Sequence, residues 1–174
     1  MLRPNLRIGS AGRKGIGVFA SSAIQKGTVV VRFKGRERWI WEIPRRLWER
    51  CMQVDYDRYV VPARGSYGWY LNHSCNPNCG VKGEREIVSL RRITPGEELT
   101  FDYSTNVGWE GFAMECHCGS KECRGTIRSY WSLSEELRRR RGRMVSPYLL
   151  DKERPRGGGT PSLSNPRRSV DKEP

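Results

Sequence analysis

Three segments of this chain combine residue types and spacings that could perform chemistry. Segment 72–79 (NHSCNPNC) brings an asparagine, a histidine and two cysteines together, and it is followed by 101–103 (FDY). Segment 116–123 (CHCGSKEC) then supplies three thiols within eight residues. Because short motifs recur by chance, the information lies in the order of the three segments and the distances between them.

The cysteines of segment 116–123 predict a metal site. A structural zinc ion binds four tetrahedral ligands, commonly thiolates, and this segment supplies three of them. His117 is poorly placed to share a metal with both of its neighbours, whereas Cys75 and Cys79 are candidates for the fourth ligand. A set of reduced, buried cysteines or a redox pair is the alternative interpretation.

The length and the charge of the chain limit its organisation and its partners. Its 174 residues are enough for one domain with a core plus a tail. With 32 Lys and Arg against 19 Asp and Glu, the formal net charge is +13, which favours anionic partners such as nucleic acid or acidic protein surfaces. A solvated tail that keeps the protein in solution explains the same charge equally well.

No segment of the sequence has the pattern of a signal peptide or a membrane span. The N-terminus lacks an apolar stretch, and no run of about eighteen apolar residues occurs. We therefore expect a soluble, intracellular protein without a membrane partner. The six cysteines are then expected to be metal ligands or reduced thiols, because cytosolic thiol pools keep disulfides open.

The regular structure predicted for the chain is mainly β. Residues 28–33 (TVVVRF) are largely β-branched and predict a strand. One short helix is predicted over 43–51, where apolar residues recur at helical spacing. The further short strands are predicted at 18–20, 59–61, 86–90 and 99–102.

The C-terminal part is predicted to change from a short basic helix to a disordered tail. Ser132 and Glu135 have the spacing of a capping box, and two leucines recur four residues apart ahead of the arginine run 138–141. Residues 154–174 are mainly Arg, Gly, Pro and Ser. Such a segment cannot bury enough apolar surface to offset its ordering entropy, so we expect disorder there.

Four motifs together resemble those of SET-domain protein lysine methyltransferases that carry a post-SET zinc segment. Residues 14–20 (KGIGVFA) resemble the N-terminal glycine motif of that family, and 72–75 (NHSC) resemble its signature. Residues 96–103 (GEELTFDY) resemble its C-terminal motif, and 116–125 (CHCGSKECRG) its post-SET motif. The resemblance covers roughly residues 4–128, and its specificity lies in the combination of the motifs.

The resemblance implies a mainly β fold of small curved sheets, in which the C-terminal motif threads under the loop before the signature and forms a pseudoknot. This threading would bring Asn72 and His73 beside Tyr103. The implied domains are a SET domain at 4–110, a post-SET zinc segment at 111–131, a short basic helix and extension at 132–153, and the disordered basic tail at 154–174.

The resemblance also implies an enzyme that transfers a methyl group from S-adenosylmethionine to a lysine side chain of a protein substrate, a histone or another basic protein. Tyr103 would be the catalytic residue, and Phe101 would line the substrate channel with it. Phe101 lacks a hydroxyl, so higher methylation states are expected. The implied cofactor-binding residues are Lys14, Gly15, Ile16, Tyr70, Asn72, His73, Tyr103 and Ile127, with His73 in a structural role rather than as a general base.

The zinc would tie the post-SET segment to the middle of the chain. Ile127, Tyr130 and Trp131 then become candidate pocket residues, although a plain packing role explains them as well. Cys51 and Cys79 would remain free thiols. The zinc ligands implied by the resemblance are Cys75, Cys116, Cys118 and Cys123.

Some positions depart from the family pattern. Trp69 and Ser66 stand where Arg and Asn are usual, and segment 50–54 lacks the second active-site tyrosine expected upstream. These departures motivate an alternative, a zinc-stabilised SET-like module of weak activity that binds nucleic acid or chromatin through 138–143 and the tail. The protein would act in the cytoplasm of a prokaryote, or in the nucleus on the chromatin of a eukaryote.

Overall fold

Short β-strands make up most of the regular structure in the computed structural model, which describes residues 4–151. The α-helices of this range are short, α1 at Tyr67–Tyr70 and α2 at Glu135–Arg141. No helix among the described residues is long and apolar enough to cross a membrane. The strands are β1 Leu6–Ser10, β2 Ile16–Ala20, β3 Val29–Arg32, β4 Glu37–Trp39, β5 Met52–Gln53, β6 Arg58–Val60, β7 Asn72–His73, β8 Cys79–Lys82, β9 Glu86–Ser89, β10 Glu98–Phe101, β11 Ala113–Glu115 and β12 Thr126–Arg128, and 3-10 helices lie at Gly12–Lys14, Ile40–Glu42, Arg45–Arg50, Tyr103–Thr105, Tyr130–Ser132 and Pro147–Leu149.

The strands form small sheets, one of which contains the parallel pair β7–β10. In the order β1-β2-β10-β7, β10 lies between β2 and β7. Thr100 lies opposite Asn72, and Phe101 lies opposite His73. The expected pseudoknot depends on this contact, because it joins the C-terminal motif to the signature. The other sheets have the orders β3-β9-β8, β4-β6-β5 and β11-β12.

The main core takes apolar side chains from three of these sheets. Val18 on β2, Ile87 on β9 and Val60 on β6 have no accessible surface. Burying an aliphatic side chain of this size contributes about 1.5–3 kcal/mol. Tyr70 and Tyr103 pack against the same cluster and are partly buried, so the core supports the tyrosine of the C-terminal motif directly.

A second, smaller core lies in the C-terminal part of the described chain. The Tyr148 hydroxyl donates to the carbonyl of Asn106 at 2.7 Å, and the Ser146 N–H donates to the carbonyl of Thr105 at 2.9 Å. The C-terminal segment is therefore fastened to the turn that follows β10. The buried residues of this core are Tyr130, Leu133, Val145, Tyr148 and Leu149.

All five predicted strands are present, as β2, β3, β6, β9 and β10, with ends that differ by one or two residues. The helix predicted over 43–51 is present as the 3-10 helix Arg45–Arg50. No local pattern in the sequence predicted β1, β4, β5, β7, β8, β11 or β12. Several of these have two or three residues, too few for a period-two pattern to be read.

The predicted capping box at Ser132 and Glu135 is wrong by two residues. Ser132 ends the 3-10 helix Tyr130–Ser132, so it is already part of a turn. Ser134 caps α2 instead, because its hydroxyl accepts the N–H of Leu137 at 3.2 Å. The tail predicted to be disordered at 154–174 lies outside the described residues, and the domain bounds remain predictions.

Asn78 links β8 to β10 through its buried side chain. Its amide nitrogen donates to the carbonyl of Glu98 at 2.7 Å, and its amide oxygen accepts the N–H of Thr100 at 2.9 Å. Only 3% of Asn78 is exposed. A buried N–H or carbonyl that loses its partner costs free energy, so this amide helps to fix the position of β10.

We predict that Asn78→Ala lowers the free energy of unfolding by about 2–4 kcal/mol, because the Thr100 N–H and the Glu98 carbonyl both lose a buried partner. Urea denaturation followed by circular dichroism measures the change. Asn76→Ala is the matched control, since Asn76 is nearby but exposed. Equal losses for the two variants would contradict the role of Asn78.

Candidate functional site

Tyr103 is fixed at both ends by the segment that contains Asn72 and His73. Its backbone N–H donates to Nδ1 of His73 at 3.1 Å, and its hydroxyl donates to the carbonyl of Leu71 at 2.8 Å. The two rings pack edge to face with centroids 5.3 Å apart. The parallel pairing of β7 with β10 brings these groups together. Burial raises the pKa of the Tyr103 hydroxyl, which therefore stays protonated at neutral pH.

Asp102 shapes the turn that carries Tyr103. Its Oδ1 accepts the N–H of Ser104 at 3.1 Å, and its carbonyl accepts the Thr105 hydroxyl at 2.6 Å. Burial raises the pKa of this carboxyl, but hydrogen bonds and charge from Arg124 outweigh it and leave the pKa below its usual value. The turn is therefore built around a buried, ionised carboxylate.

The first cleft at this site is lined mainly by polar and charged residues. Lys14 forms an ion pair with Glu98, and the second oxygen of Glu98 accepts from Nδ2 of Asn72 at 2.9 Å. Nδ2 of Asn72 also donates to the carbonyl of Ile16 at 3.1 Å. The glycine motif and the signature are thus connected by one hydrogen-bonded chain along the cleft.

Gly17 is required where the glycine motif approaches this chain. A Cβ atom at Gly17 would lie 2.6 Å from a carboxylate oxygen of Glu98 and 3.0 Å from Nδ2 of Asn72. Gly15 has a φ of +80°, a backbone angle that residues with a side chain rarely adopt. Both glycines therefore have a physical reason to be glycine at this cleft.

The predicted cofactor residues divide into two groups. Lys14, Asn72, His73, Tyr103 and Ile127 line the first cleft. Gly15, Ile16 and Tyr70 do not appear in its lining; Ile16 takes part through its carbonyl, and Tyr70 packs against the main core. The lining residues that the sequence did not indicate are Arg13, Glu49, Arg50, Met114, Glu115, His117 and Cys118, of which Arg13 adjoins the glycine motif and Cys118 was noted only as a metal ligand.

A second cleft has mainly aromatic and apolar walls. Phe101, predicted as a channel residue, lies in it, and its ring centroid is 5.0 Å from that of Tyr103. Tyr103, Glu49 and Arg50 line both clefts. The other lining residues are Phe33, Trp48, Cys51, Gly68, Trp69, Leu71, Asn106, Val107 and Phe112.

Trp69, which departs from the family pattern, has a definite place in the second cleft. Its carbonyl accepts from Nη1 of Arg50 at 3.1 Å, and the guanidinium lies 5.9 Å from its ring centroid. Ser66, the other departure, donates its hydroxyl to the carbonyl of Ala63 at the start of α1. Trp69 therefore forms a wall of the cleft and holds the arginine that both clefts share.

Cys75, Cys116 and Cys118 lie together beside the first cleft. Their sulfur atoms and a ring nitrogen of His73 all lie within 4.8 Å of one another. The sulfur atoms of Cys75 and Cys116 are 3.8 Å apart. Cys123 lies outside that group, with its sulfur 3.9 Å from the carbonyl of Cys116. Such a concentration of thiols and imidazole suits zinc.

The environment of Cys118 favours the thiolate that a metal requires. Burial raises the pKa of Cys118, but hydrogen bonds from the backbone N–H groups of Cys75 and Ser120 outweigh burial and lower the pKa to about 7. Metal ligation needs deprotonated cysteine. Cys118 is therefore suited to bind a metal, whereas burial raises the pKa of Cys75 and Cys116.

His73 is a poor fourth ligand because of its hydrogen bonds. Nδ1 accepts the Tyr103 N–H, so in the neutral ring the proton resides on Nε2. Burial lowers the pKa of His73 to about 4, so the ring is neutral at pH 7. Nε2 lies 3.3 Å from the sulfur of Cys75 and donates to it. A nitrogen that donates has no lone pair for a metal, which favours Cys123 as the fourth ligand.

We predict that the Co²⁺-substituted protein has the strong near-ultraviolet charge-transfer absorption of four thiolates. Cys123→Ser should weaken this absorption, because one sulfur ligand is lost, whereas His73→Gln should leave it unchanged. Absorption spectroscopy during Co²⁺ titration measures both. Cys79→Ser is the control, since Cys79 is a buried cysteine outside the cluster. A spectrum that depends on His73 and not on Cys123 would reverse the ligand assignment.

The fold and the site are those of a SET domain. Residues 15–104, just over half of the chain, match the family described as SET domain. The chain belongs to this family. The matched range includes residues 15–20 of the glycine motif, the signature and Tyr103, and it ends before the cysteines of segment 116–123.

Relatives and a solved structure agree with the family. The chain is 31% identical over 138 residues to histone-lysine N-methyltransferase trr of Drosophila melanogaster, which covers 70% of this chain and 6% of the relative. It is 36% identical over 129 residues to histone-lysine N-methyltransferase trithorax of Drosophila virilis, covering 63% and 3%. The crystal structure of KRYPTONITE in complex with mCHH DNA, H3(1-15) peptide and SAH is similar with a TM-score of 0.54 and 26% identity, over 72% of this chain and 30% of that one. The chain thus spans a small part of these curated relatives.

Proposed function

We propose that this chain is an S-adenosylmethionine-dependent protein-lysine N-methyltransferase. The observation that carries the proposal is the meeting of two clefts of different character at Tyr103, Glu49 and Arg50. The polar cleft suits a charged cofactor, and the aromatic cleft suits the alkyl chain of a lysine. The names of the relatives and the SAH in the KRYPTONITE complex support the same activity.

The residues of the first cleft provide what binding of this cofactor needs. S-adenosylmethionine supplies the methyl group. Lys14 offers a cation to a carboxylate, and Glu98 keeps that cation beside Asn72. Ile127 lines this cleft with an apolar side chain, which suits contact with a purine ring. The glycine backbone at 15–17 allows close approach of a ligand.

The second cleft prepares a lysine side chain to react. Free lysine has a pKa of about 10.4, so its amine must lose a proton before it can attack a methyl group. Aromatic walls exclude water and disfavour the charged form, which lowers the pKa of the amine. The Tyr103 hydroxyl uses its proton in the bond to Leu71, so its oxygen lone pairs remain for the amine and the polarised methyl group. Catalysis is then mainly positioning and electrostatic preorganisation.

We assign the zinc ligands to Cys75, Cys116, Cys118 and Cys123. The support is the thiol cluster and the donor role of His73 described above. A metal bound there would tie the hairpin of β11 and β12 to the signature segment, and Met114 and Ile127 on that hairpin line the first cleft. Zinc would therefore be structural here and would order one wall of the cofactor site.

We predict that Tyr103→Phe reduces kcat by about a hundred- to a thousand-fold, the cost of removing one preorganised polar group from a reacting centre. Transfer of labelled methyl groups to core histones and to a panel of other basic proteins measures the rate. Tyr67→Phe is the matched control, because the Tyr67 hydroxyl also donates to a backbone carbonyl, that of Leu6 at 2.7 Å. Wild-type rates in Tyr103→Phe would argue against the assigned role.

We predict that Phe101→Tyr shifts the product towards fewer methyl groups per lysine. The added hydroxyl would occupy space in the second cleft and hydrogen-bond to the amine, which restricts rotation of a methylated lysine. Mass spectrometry of the product gives the distribution. Phe19→Tyr serves as the control because Phe19 lies on β2 and lines neither cleft. An unchanged distribution would exclude Phe101 as the residue that limits product.

We infer that the substrate is a histone or another basic protein, because the curated relatives are named histone-lysine methyltransferases and KRYPTONITE was solved with an H3 peptide.

Nucleic acid is the second partner we propose. The net charge of +13 and the exposed Arg143 support it. A histone substrate corresponds to the nucleus of a eukaryote, and a prokaryotic source corresponds to the cytoplasm.

A further inference from the structure

Arg141, at the end of α2, contacts two groups at the centre of the site. Its Nε and Nη2 donate to Oδ2 of Asp102 at 3.1 Å and 3.0 Å. Its Nη2 also donates to the carbonyl of Cys75 at 2.7 Å. The Arg141 side chain is 9% exposed and that of Asp102 is 1% exposed. Arg141 lies well beyond the residues that match the SET domain family.

Arg124 binds the same carboxylate from the segment that follows the last cysteine. Its Nη1 donates to Oδ2 of Asp102 at 2.9 Å, and its Nη2 donates to Oδ1 at 2.6 Å. Asp102 therefore holds two arginines, one from the cysteine-rich segment and one from α2. Arg124 lies next to Cys123, but Arg141 belongs to an element that the four motifs do not include.

The two contacts of Arg141 bear on the reacting residue and on the thiol cluster. Asp102 precedes Tyr103 and shapes its turn, so a shift of the Asp102 carboxylate moves the tyrosine. Cys75 contributes a thiol to the cluster, and its carbonyl is held by Arg141. One guanidinium therefore bridges the strand end that carries Tyr103 and the loop that carries Cys75.

The chain after α2 fixes the position of this guanidinium. Gly142 ends α2 with a φ of +53°. Ser146 then binds the turn after Tyr103 twice, since its N–H donates to the carbonyl of Thr105 at 2.9 Å and its hydroxyl accepts from Nδ2 of Asn106 at 2.7 Å. Residues 141–146 therefore form hydrogen bonds with both ends of the stretch 102–106.

We propose that Arg141 is a positioning residue for methyl transfer, acting through Asp102 and the Cys75 carbonyl. The C-terminal segment 134–149 is then part of the catalytic unit. This inference rests on the proposed function. Arg141 lines neither of the two clefts that meet at Tyr103, so it would not contact the cofactor or the substrate directly. This role distinguishes Arg141 from the exposed arginines of the same helix, whose side chains do not contact Asp102.

The experiment compares Arg141→Met with Arg139→Met in the full chain. Arg139 lies on the same helix and is exposed. We expect Arg141→Met to lower kcat about ten- to a hundred-fold while the KM for S-adenosylmethionine changes little, because a misplaced reacting group affects the rate more than cofactor binding. Arg139→Met should leave both unchanged. Arg141→Lys keeps the positive charge but lacks the planar guanidinium with its several donors, so it should recover part of the wild-type kcat.

A double-mutant cycle separates positioning from plain destabilisation. If Arg141 acts through Asp102, Arg141→Met should reduce kcat much less in an Asp102→Asn background than in the wild type. Equal losses in the two backgrounds, or equal kcat in Arg141→Met and Arg139→Met, would overturn the proposal. Should Arg141→Met fail to fold, the same cycle is run with Arg141→Lys.

Zinc release gives a readout that does not need activity. We expect a chelator to remove zinc faster from Arg141→Met than from Arg139→Met or the wild type, because the Cys75 carbonyl loses its hydrogen bond from Arg141. If Arg141→Met releases zinc as slowly as the wild type, the hydrogen bond from Arg141 to the Cys75 carbonyl has no functional role. If the wild type transfers no methyl group although zinc release follows the expected order, the proposed function fails while the structural role of Arg141 stands.

Discussion

The site depends on one short parallel pairing, that of β7 with β10. This pairing, with two residues on each strand, places His73 beside a tyrosine that follows it by thirty positions. Closing a loop of that length costs conformational entropy, and two pairs of backbone residues do not recover it alone. The buried side chains of β2 and β10 and the amide of Asn78 provide the rest. The site is thus assembled by the core rather than by local sequence.

Several polar side chains are buried near this pairing, and each is matched by hydrogen-bond partners. Asp102, His73, Asn78 and Asn106 are all nearly inaccessible to solvent, and each has hydrogen-bond partners from distant parts of the chain. A buried carboxylate is costly unless it is paired, and removing one partner is more costly than never having formed the pair. Such a network stabilises one arrangement of the turn and penalises alternatives, which suits a site whose atoms must be held in place.

The motifs allowed the fold and much of the site to be predicted, and the failures have physical reasons. The strand at 28–33 has enough β-branched residues to be recognised locally, whereas β7 has two residues and exists only through its partner. Arg141 has no local feature that distinguishes it from Arg139, because burial depends on where α2 packs. The sequence also could not show whether His73 or Cys123 is the better fourth metal ligand. That choice depends on which ring nitrogen of His73 accepts a hydrogen bond.

The separate linings of the two clefts have a consequence for the order of events during turnover. Among the described residues, Tyr103, Glu49 and Arg50 are the ones common to both clefts. Under the proposed function, spent cofactor can therefore leave through its own cleft while the protein chain stays in the other. A lysine could receive successive methyl groups within a single encounter, so processivity would follow from the architecture of the site rather than from tight binding of the substrate.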